Sequence, residues 1–386
     1  MNDVGVCAFL WTFCSQLVPC GSSQECFHPD YICVHHSRCS EHPICYPLSM
    51  TEQNICPSLI NGKVINETTT MVPIDTTTMK LDTTTRGVKF NKWKQNAVTI
   101  VGTNEDKQNH LYSPHGIFLD KDQNLFFADA ENHRIIQWKP NENQRKIVAG
   151  GNGKGKGIDQ LNYPTDVIVD EENNSLIIAD FGNNRITQWS LSQNQQEILI
   201  ENMNYWSLTK DTYGYLYVSN WGNNEVRRWK IGEIKGKEGQ LVAGGNGQGN
   251  QLNQFNGPTY IFVDKQQSIY ISDSKNHRVM KWKKDAQEGI VVAGGNGQES
   301  QLNEPKGIIV DDFDRVYVVD EGNHRIMRWI EGEGEIIVGG NGKGTHSNQL
   351  NRPTGLTFDL HGNLHVVDWG NHRIQRFDLI SEEKTV

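Results

Sequence analysis

Four histidines recur in one tripeptide, Asn-His-Arg, at His133, His277, His324 and His372. Imidazole is the commonest metal ligand, so the recurrence raises the question of a metal centre. The spacing answers against it. Each histidine falls in its own copy of a repeating unit, and Asn184 and Asn224 hold the same place in two further copies. Equivalent positions of separate units stand too far apart to share one ion, so these histidines are expected to be structural, and no metal or cofactor is expected. The arginine of the tripeptide follows an aspartate by five residues: Asp129 with Arg134, Asp180 with Arg185, Asp273 with Arg278, Asp320 with Arg325 and Asp368 with Arg373. In the third unit the pair becomes Asn220 and Glu225 together. Joint loss is what a buried ion pair predicts, because one partner left alone is costly.

Glycine-rich segments at 150–157, 244–249 and 339–345 could suit a phosphate, and the last contains Gly-Lys-Gly-Thr. A phosphate loop needs Gly-Lys followed directly by Ser or Thr and then a helix N-terminus. Neither is present, and Gln248 and Gln298 stand where the last segment has Lys343. These segments are expected to be connections. No Gly-x-Ser-x-Gly and no His-Glu-x-x-His occurs, so no catalytic motif is visible and the chain is not expected to be an enzyme.

The elements that hold these residues repeat every 40–53 positions from residue 98. Short strands, LFFAD, LIIAD, LYVSN, IYISD, VYVVD and LHVVD, are apolar on both faces and belong between two layers. Each ends in Asp or Asn, then a turn, and an aromatic closes the third strand: Trp138, Trp189, Trp229, Trp282, Trp329 and Phe377. The sixth unit stops after three strands, while 98–102 (VTIVG) stands unattached before the first. Joining the two completes six four-stranded sheets and closes a ring. The expected fold is all-β: a six-bladed propeller over 91–386 whose N-terminal strand completes the last blade.

The pattern Pro-x-Gly-Ile-x-x-Asp, followed by Asp-x-x-Asn-His-Arg-Ile, runs from Pro114 to Ile135, Pro305 to Ile326 and Pro353 to Ile374. It resembles the NHL repeat, with weaker copies from Pro164, Pro258 and the divergent Tyr205. The resemblance covers about three quarters of the chain and implies a propeller that serves as an interaction platform. In such a ring the residues just after the Pro and the turns between second and third strands share one face. The first set is His115, Thr165, Trp206, Thr259, Lys306 and Thr354; the second is Ala130, Phe181, Trp221, Ser274, Glu321 and Trp369. Tyr205, Trp206, Trp221, Phe181 and Trp369 are aromatic where other units are small or polar, and with His115 and Lys306 they form the candidate binding surface. The second-to-third connection lacks the Gly-rich insert, which predicts a groove beside Trp206 and Trp221.

All eight cysteines lie in the first 56 residues, without a Cys-x-x-Cys pair. Dense, even-numbered cysteines in a short polar segment point to disulfides and an oxidising compartment rather than zinc. Residues 1–19 resemble a hydrophobic leader without a basic start; cleavage after Cys14 would leave Cys20, Cys26, Cys33, Cys39, Cys45 and Cys56. The other reading of residues 1–19 is a truncated start, with Cys7 and Cys14 belonging to the folded cysteine module that otherwise spans 20–60. Residues 61–90 carry three Thr triplets and a sequon at Asn66, and Asn173 opens a second sequon. This stretch is expected to be an extended, glycosylated spacer.

The charge is −9 overall, of which −6 falls on 91–386. That is the wrong sign for a phosphate backbone, so nucleic acid is not an expected partner. No run of 18 apolar residues occurs, so no integral membrane segment is expected unless the leader is retained. The expectation is an extracellular or cell-surface recognition protein for a protein, peptide or glycan. Two alternatives carry family resemblance: a zinc-dependent peptide-amidating lyase, for which His115 is the one histidine following the repeat Pro, and the RNA-binding or ubiquitin-pathway NHL proteins, whose RING module is missing here.

Overall fold

The computed structural model describes the strands Tyr31–Val34 and Ile44–Pro47 and residues 92–380, apart from 103–109, 141–143, 194, 203 and 296–301. The chain divides into two units, Met1–Thr84 and Thr85–Val386. In the first, the two strands pair antiparallel with Cys33 opposite Cys45 in the backbone register. The leader, the spacer, Asn66, Cys20, Cys26, Cys39 and Cys56 lie outside the described residues.

The second unit is a ring of six four-stranded antiparallel sheets. Blades 1 to 5 span residues 114–150, 164–201, 205–244, 258–294 and 305–339. Blade 6 takes three strands, Leu356–Phe358, Leu364–Asp368 and Arg373–Phe377, and receives Val98–Val101 as its outermost strand. The closure runs beyond that strand. Lys94 N–H donates to the Asp378 carbonyl, Ile380 N–H to the Lys92 carbonyl, and the Trp93 indole to the Gly362 carbonyl at 2.8 Å. The ring predicted from the unattached strand is therefore present, and it removes the open ends of an array.

Six apolar clusters lie in the six junctions between neighbouring blades. The second strands are buried nearly throughout, as their two-faced apolar pattern requires. The aromatic at the end of each third strand is at most 5 % exposed. A further apolar residue seals five of the junctions from the connecting loop: Leu111, Leu161, Phe255, Leu302 and Leu350, each 0–1 % exposed.

The repeated polar residues knit one blade to the next. Asp180, fully buried, accepts from Asn162 N–H, from the Asn183 amide and from Arg185 Nε, all at 2.7 Å. Arg185 then donates to the Lys156 and Gln160 carbonyls in the loop arriving from blade 1. The same set recurs around Asp129, Asp273, Asp320 and Asp368, with Nε–carboxylate distances of 2.7–2.8 Å. The histidines act at the same joint. Nδ1 of His133, His277, His324 and His372 accepts a backbone N–H from Tyr163, Glu304, Arg352 and Ser113 of the following blade, each at 3.1 Å. Asn224 Oδ1 does the same for Gly257 at 2.9 Å. Each of these histidines sits at φ 53–57°, a left-handed position that Asn also tolerates, which explains the Asn at 184 and 224.

Blade 3 departs from this plan for one reason. Its incoming connection is only 202–204, so there is no loop whose carbonyls an arginine could hold. Glu225 replaces that arginine and pairs with Arg227 at 2.9 Å.

Candidate functional site

Six residues follow the prolines or their blade 3 counterpart and converge toward the ring axis. Three are threonines that tie neighbouring blades together. Thr165 donates to the Trp206 carbonyl at 2.6 Å, Thr354 to the His115 carbonyl at 3.2 Å, and Thr259 to the Pro305 carbonyl at 3.4 Å. The other three, from alternate blades 1, 3 and 5, are His115, Trp206 and Lys306. Six large side chains could not crowd one axis, and the alternation with Thr makes the room.

Around these three a continuous aromatic patch forms. His115 lies edge-on to Trp206 at 5.8 Å and to Tyr163 at 5.4 Å, and 6.2 Å from Trp369. Phe181 closes the other side, 5.1 Å from Trp206 and 6.4 Å from Tyr163. His115 Nε2 and Tyr163 Oη stand 2.9 Å apart. Lys306 Nζ lies 5.5 Å from the Trp206 ring centre, and the Arg352 guanidinium 5.1 Å from that of Trp369. Both cations share Glu321, at 3.4 Å and 2.6 Å. Glu304, paired with Lys275, faces both cations as well, so the cluster mixes charges of both signs.

Burial sets the protonation states. His115, 5 % exposed, is pushed down to about 3 by desolvation and by the nearby Lys306, so it is neutral at physiological pH. Desolvation also lowers Lys306, against the pull of Glu321. Tyr163 is raised by burial. His115 Nδ1 and Trp206 Nε1 are buried and have no hydrogen-bond partner. They are two of ten such atoms among the described residues.

Of the seven predicted binding residues, the structure brings five together: His115, Phe181, Trp206, Lys306 and Trp369. Trp221 stands outside the patch, 41 % exposed, with its indole against Gly257. Tyr205 is 1 % exposed and belongs to the apolar cluster between blades 2 and 3. It occupies the repeat's proline position, and its ring is drawn into the junction that lacks a loop residue to seal it. The groove there is lined by Tyr205 and Trp229, on the outer side of the ring, rather than by Trp206 and Trp221. Tyr163 and Arg352 are additions the pattern did not single out. Both immediately precede a repeat proline, on the same face, a position occupied elsewhere by Ser113, Gly257 and Glu304.

The axis is filled below this patch. Where the repeat places glycine (Gly116, Gly307, Gly355), blades 2, 3 and 4 carry Asp166, Ser207 and Tyr260. A Cβ on Gly116 would come within 2.1 Å of Asp166 Oδ1, so the glycine makes room for the acid. Asp166 accepts from Ser207 Oγ at 2.6 Å and from two backbone N–H groups, yet burial raises it to about 6. A cavity of about 320 Å³, lined by all six inner strands, begins there. Among the described residues no group of three or more His, Cys, Asp or Glu side chains is placed to hold a metal ion. Asn173 is exposed in the turn 171–174, its amide donating to Asp170 at 2.7 Å.

Comparison with known proteins agrees with the repeat and the ring. Residues 161–189, from the sealing Leu161 to Trp189 of blade 2, match the NHL repeat. An 88-residue stretch is 31 % identical to mouse (Mus musculus) peptidyl-glycine alpha-amidating monooxygenase, covering 22 % of this chain and 9 % of that protein. The chain thus spans about a tenth of the length of this relative. Among solved structures, an auxiliary nutrient binding protein from Bacteroides thetaiotaomicron superposes with a TM-score of 0.57 at 16 % identity, over 76 % of this chain and 78 % of that one. A protein of unknown function from the same organism gives 0.59 at 16 % identity, over 75 % and 77 %. At such identity these likenesses concern the fold alone. The chain thus carries a match to the NHL repeat in blade 2 of a β-propeller of six blades.

Proposed function

We propose that the aromatic face of the propeller is a recognition surface for a protein, peptide or glycan ligand that presents an anionic group beside an apolar or ring-shaped one. The observation that carries this reading is the convergence of His115, Tyr163, Phe181, Trp206 and Trp369 around Lys306 and Arg352, with buried His115 Nδ1 and Trp206 Nε1 left without partners. Rigid aromatics offer stacking area at little entropic cost, and Lys306 and Arg352 beside them offer charge-assisted hydrogen bonds to an anionic group. The cysteine-dense N-terminus and the Thr-rich spacer support presentation outside the cell.

The test is a paired array of anionic and neutral glycans and peptides, probed with the secreted chain. Wild type binds an anionic member, Trp206→Ala loses at least tenfold, and binding weakens with salt. Equal binding by wild type, Trp206→Ala and Lys306→Met on every feature would discard the surface.

One observation favours a second reading, an amidating enzyme: the short stretch of likeness to the amidating monooxygenase. Turnover of a glycine-extended peptide by the purified chain, with one equivalent of bound zinc, would establish it. His133, His277, His324 and His372 each accept a backbone N–H at a blade junction, so zinc in that reading would need other ligands.

A further inference from the structure

The axial cavity below the aromatic patch has a polar end and an apolar wall. Two residues after the repeat proline, or after Tyr205 in blade 3, stand Gly116, Asp166, Ser207, Tyr260, Gly307 and Gly355, and all six are buried. Two residues farther along the same strands stand Phe118, Ile168, Thr209, Phe262, Ile309 and Thr357, of which only Ile168 is buried. Exposure along the cavity thus rises away from the aromatic face. The well ends at Asp166, Ser207 and Tyr260 and opens toward the turns between first and second strands. Its volume of about 320 Å³ is at the small end of ligand sites.

Asp166 stands where blades 1, 5 and 6 carry glycine. Its side chain belongs to a residue only 6 % exposed and accepts from Ser207 Oγ, Leu208 N–H and Val167 N–H. A carboxylate offers about four acceptor sites, so one is left over. The junction aspartates each have an arginine; Asp166 has no cation beside it. Lys210, the one cation among the lining residues, belongs to the mouth and donates to the Val169 carbonyl at 2.8 Å. Burial rather than a charged neighbour raises the acid, to about 6, so it is ionised at neutral pH. A buried carboxylate without a counter-charge is costly, and its complement is a cation supplied from outside. Among the described residues no group of three metal-ligating side chains forms there, and the wall above the acid is apolar or threonine, so the complement is organic.

We propose that this axial well binds a small primary amine as its ammonium ion, with the charged end against Asp166 and an alkyl or single-ring body between Phe118, Phe262 and Ile309. Ser207 holds the carboxylate from blade 3, and Gly116 leaves room for it from blade 1. The ammonium brings the missing positive charge and a donor for the unused acceptor site. The apolar wall takes the body out of water. The well opens on the face opposite the aromatic patch, and the proposal does not rest on recognition there.

The probe is benzylamine, titrated into the full chain by isothermal calorimetry beside benzyl alcohol, its neutral counterpart. Wild type is expected to bind the amine at least tenfold more tightly than the alcohol at neutral pH, because a hydrogen bond between charged groups outweighs a neutral one. Amine affinity should fall as pH drops through about 6, where Asp166 takes up its proton. The residues facing Asp166 from neighbouring strands are Gly116, Ser207 and Tyr260, and none of them titrates there. Two variants separate the acid from the space. Asp166→Asn is expected to lose at least tenfold in amine affinity together with the pH dependence. Thr209→Phe narrows the mouth without touching the acid and should weaken amine and alcohol alike. Equal affinity for amine and alcohol, or undiminished amine binding by Asp166→Asn, overturns the proposal. So does displacement of the amine by calcium or zinc ions, which would assign Asp166 to a metal.

Discussion

Arg185 has two jobs, and its replacement by methionine separates them. Its side chain is 6 % exposed and pairs with an Asp180 that is 0 % exposed. Arg185→Met leaves a buried carboxylate with the Asn162 and Asn183 donors but no counter-charge. Breaking a buried pair on one side costs about 3–5 kcal/mol. The variant also loses two donors to the Lys156 and Gln160 carbonyls, at 3.3 and 3.1 Å, which accounts for about 1–3 kcal/mol of that total. Asp180→Asn with Arg185→Met removes the stranded charge but not the loop loss. The double variant is therefore expected to regain about 2 kcal/mol relative to the single one. At roughly 2–4 °C per kcal/mol for a domain of this size, the single change lowers the melting temperature by roughly 6–20 °C, and the double by about half as much. Scanning calorimetry on the wild type and the variants Asp180→Asn, Arg185→Met and the double closes the cycle. A double variant as unstable as Arg185→Met would refute the reasoning. The Asn220 and Glu225 of blade 3 would then need an explanation other than loss of the loop.

The histidine clamps predict a particular pH response. Nδ1 must be unprotonated to accept the next blade's N–H, and burial holds His324 and His372 below the ordinary imidazole range. A depressed folded pKa means stability fully present above about 6.5 and lost as pH falls toward the folded value. Replacing His324 and His372 by Asn, as Asn224 already is, should leave the neutral melting temperature within a few degrees and flatten the acid limb below about pH 6.5; an unchanged acid limb would discard the clamp. Truncation to residue 103 removes Trp93 and Val98–Val101 and should yield an unstable, aggregating product, whereas a chain beginning at residue 91 melts like the full-length ring. Intact mass before and after reduction should change by about 2 Da per disulfide, and a chain with all thiols free would end the extracellular reading.

Much of the ring was legible because its signals repeat. One unpaired strand and one missing strand sufficed to close the sheet count, and the common fate of Asp and Arg in the third unit announced their pairing. The reason for that pairing was not legible, since a carbonyl three residues from a loop tip leaves no mark on residue type. The aromatic face was found where single positions broke the repeat, as at Phe181 and Trp369. Tyr205 was misplaced because it, too, breaks the repeat: a departure can mean a ligand or a packing repair, and only the short 202–204 connection distinguishes the two. Tyr163 and Arg352 escaped notice because their position varies in every blade, so neither stood out against a consensus.

The measurement that bears most directly on the recognition surface is an indole nitrogen–proton correlation spectrum of tryptophan-labelled protein, titrated with the strongest anionic hit from the array. Ten tryptophans give ten assignable signals. The surface predicts that Trp206 and Trp369 shift in proportion to occupancy while the junction residues Trp189 and Trp282 hold still. Saturating ligand that leaves Trp206 and Trp369 unmoved, or that moves the junction indoles first, would contradict it.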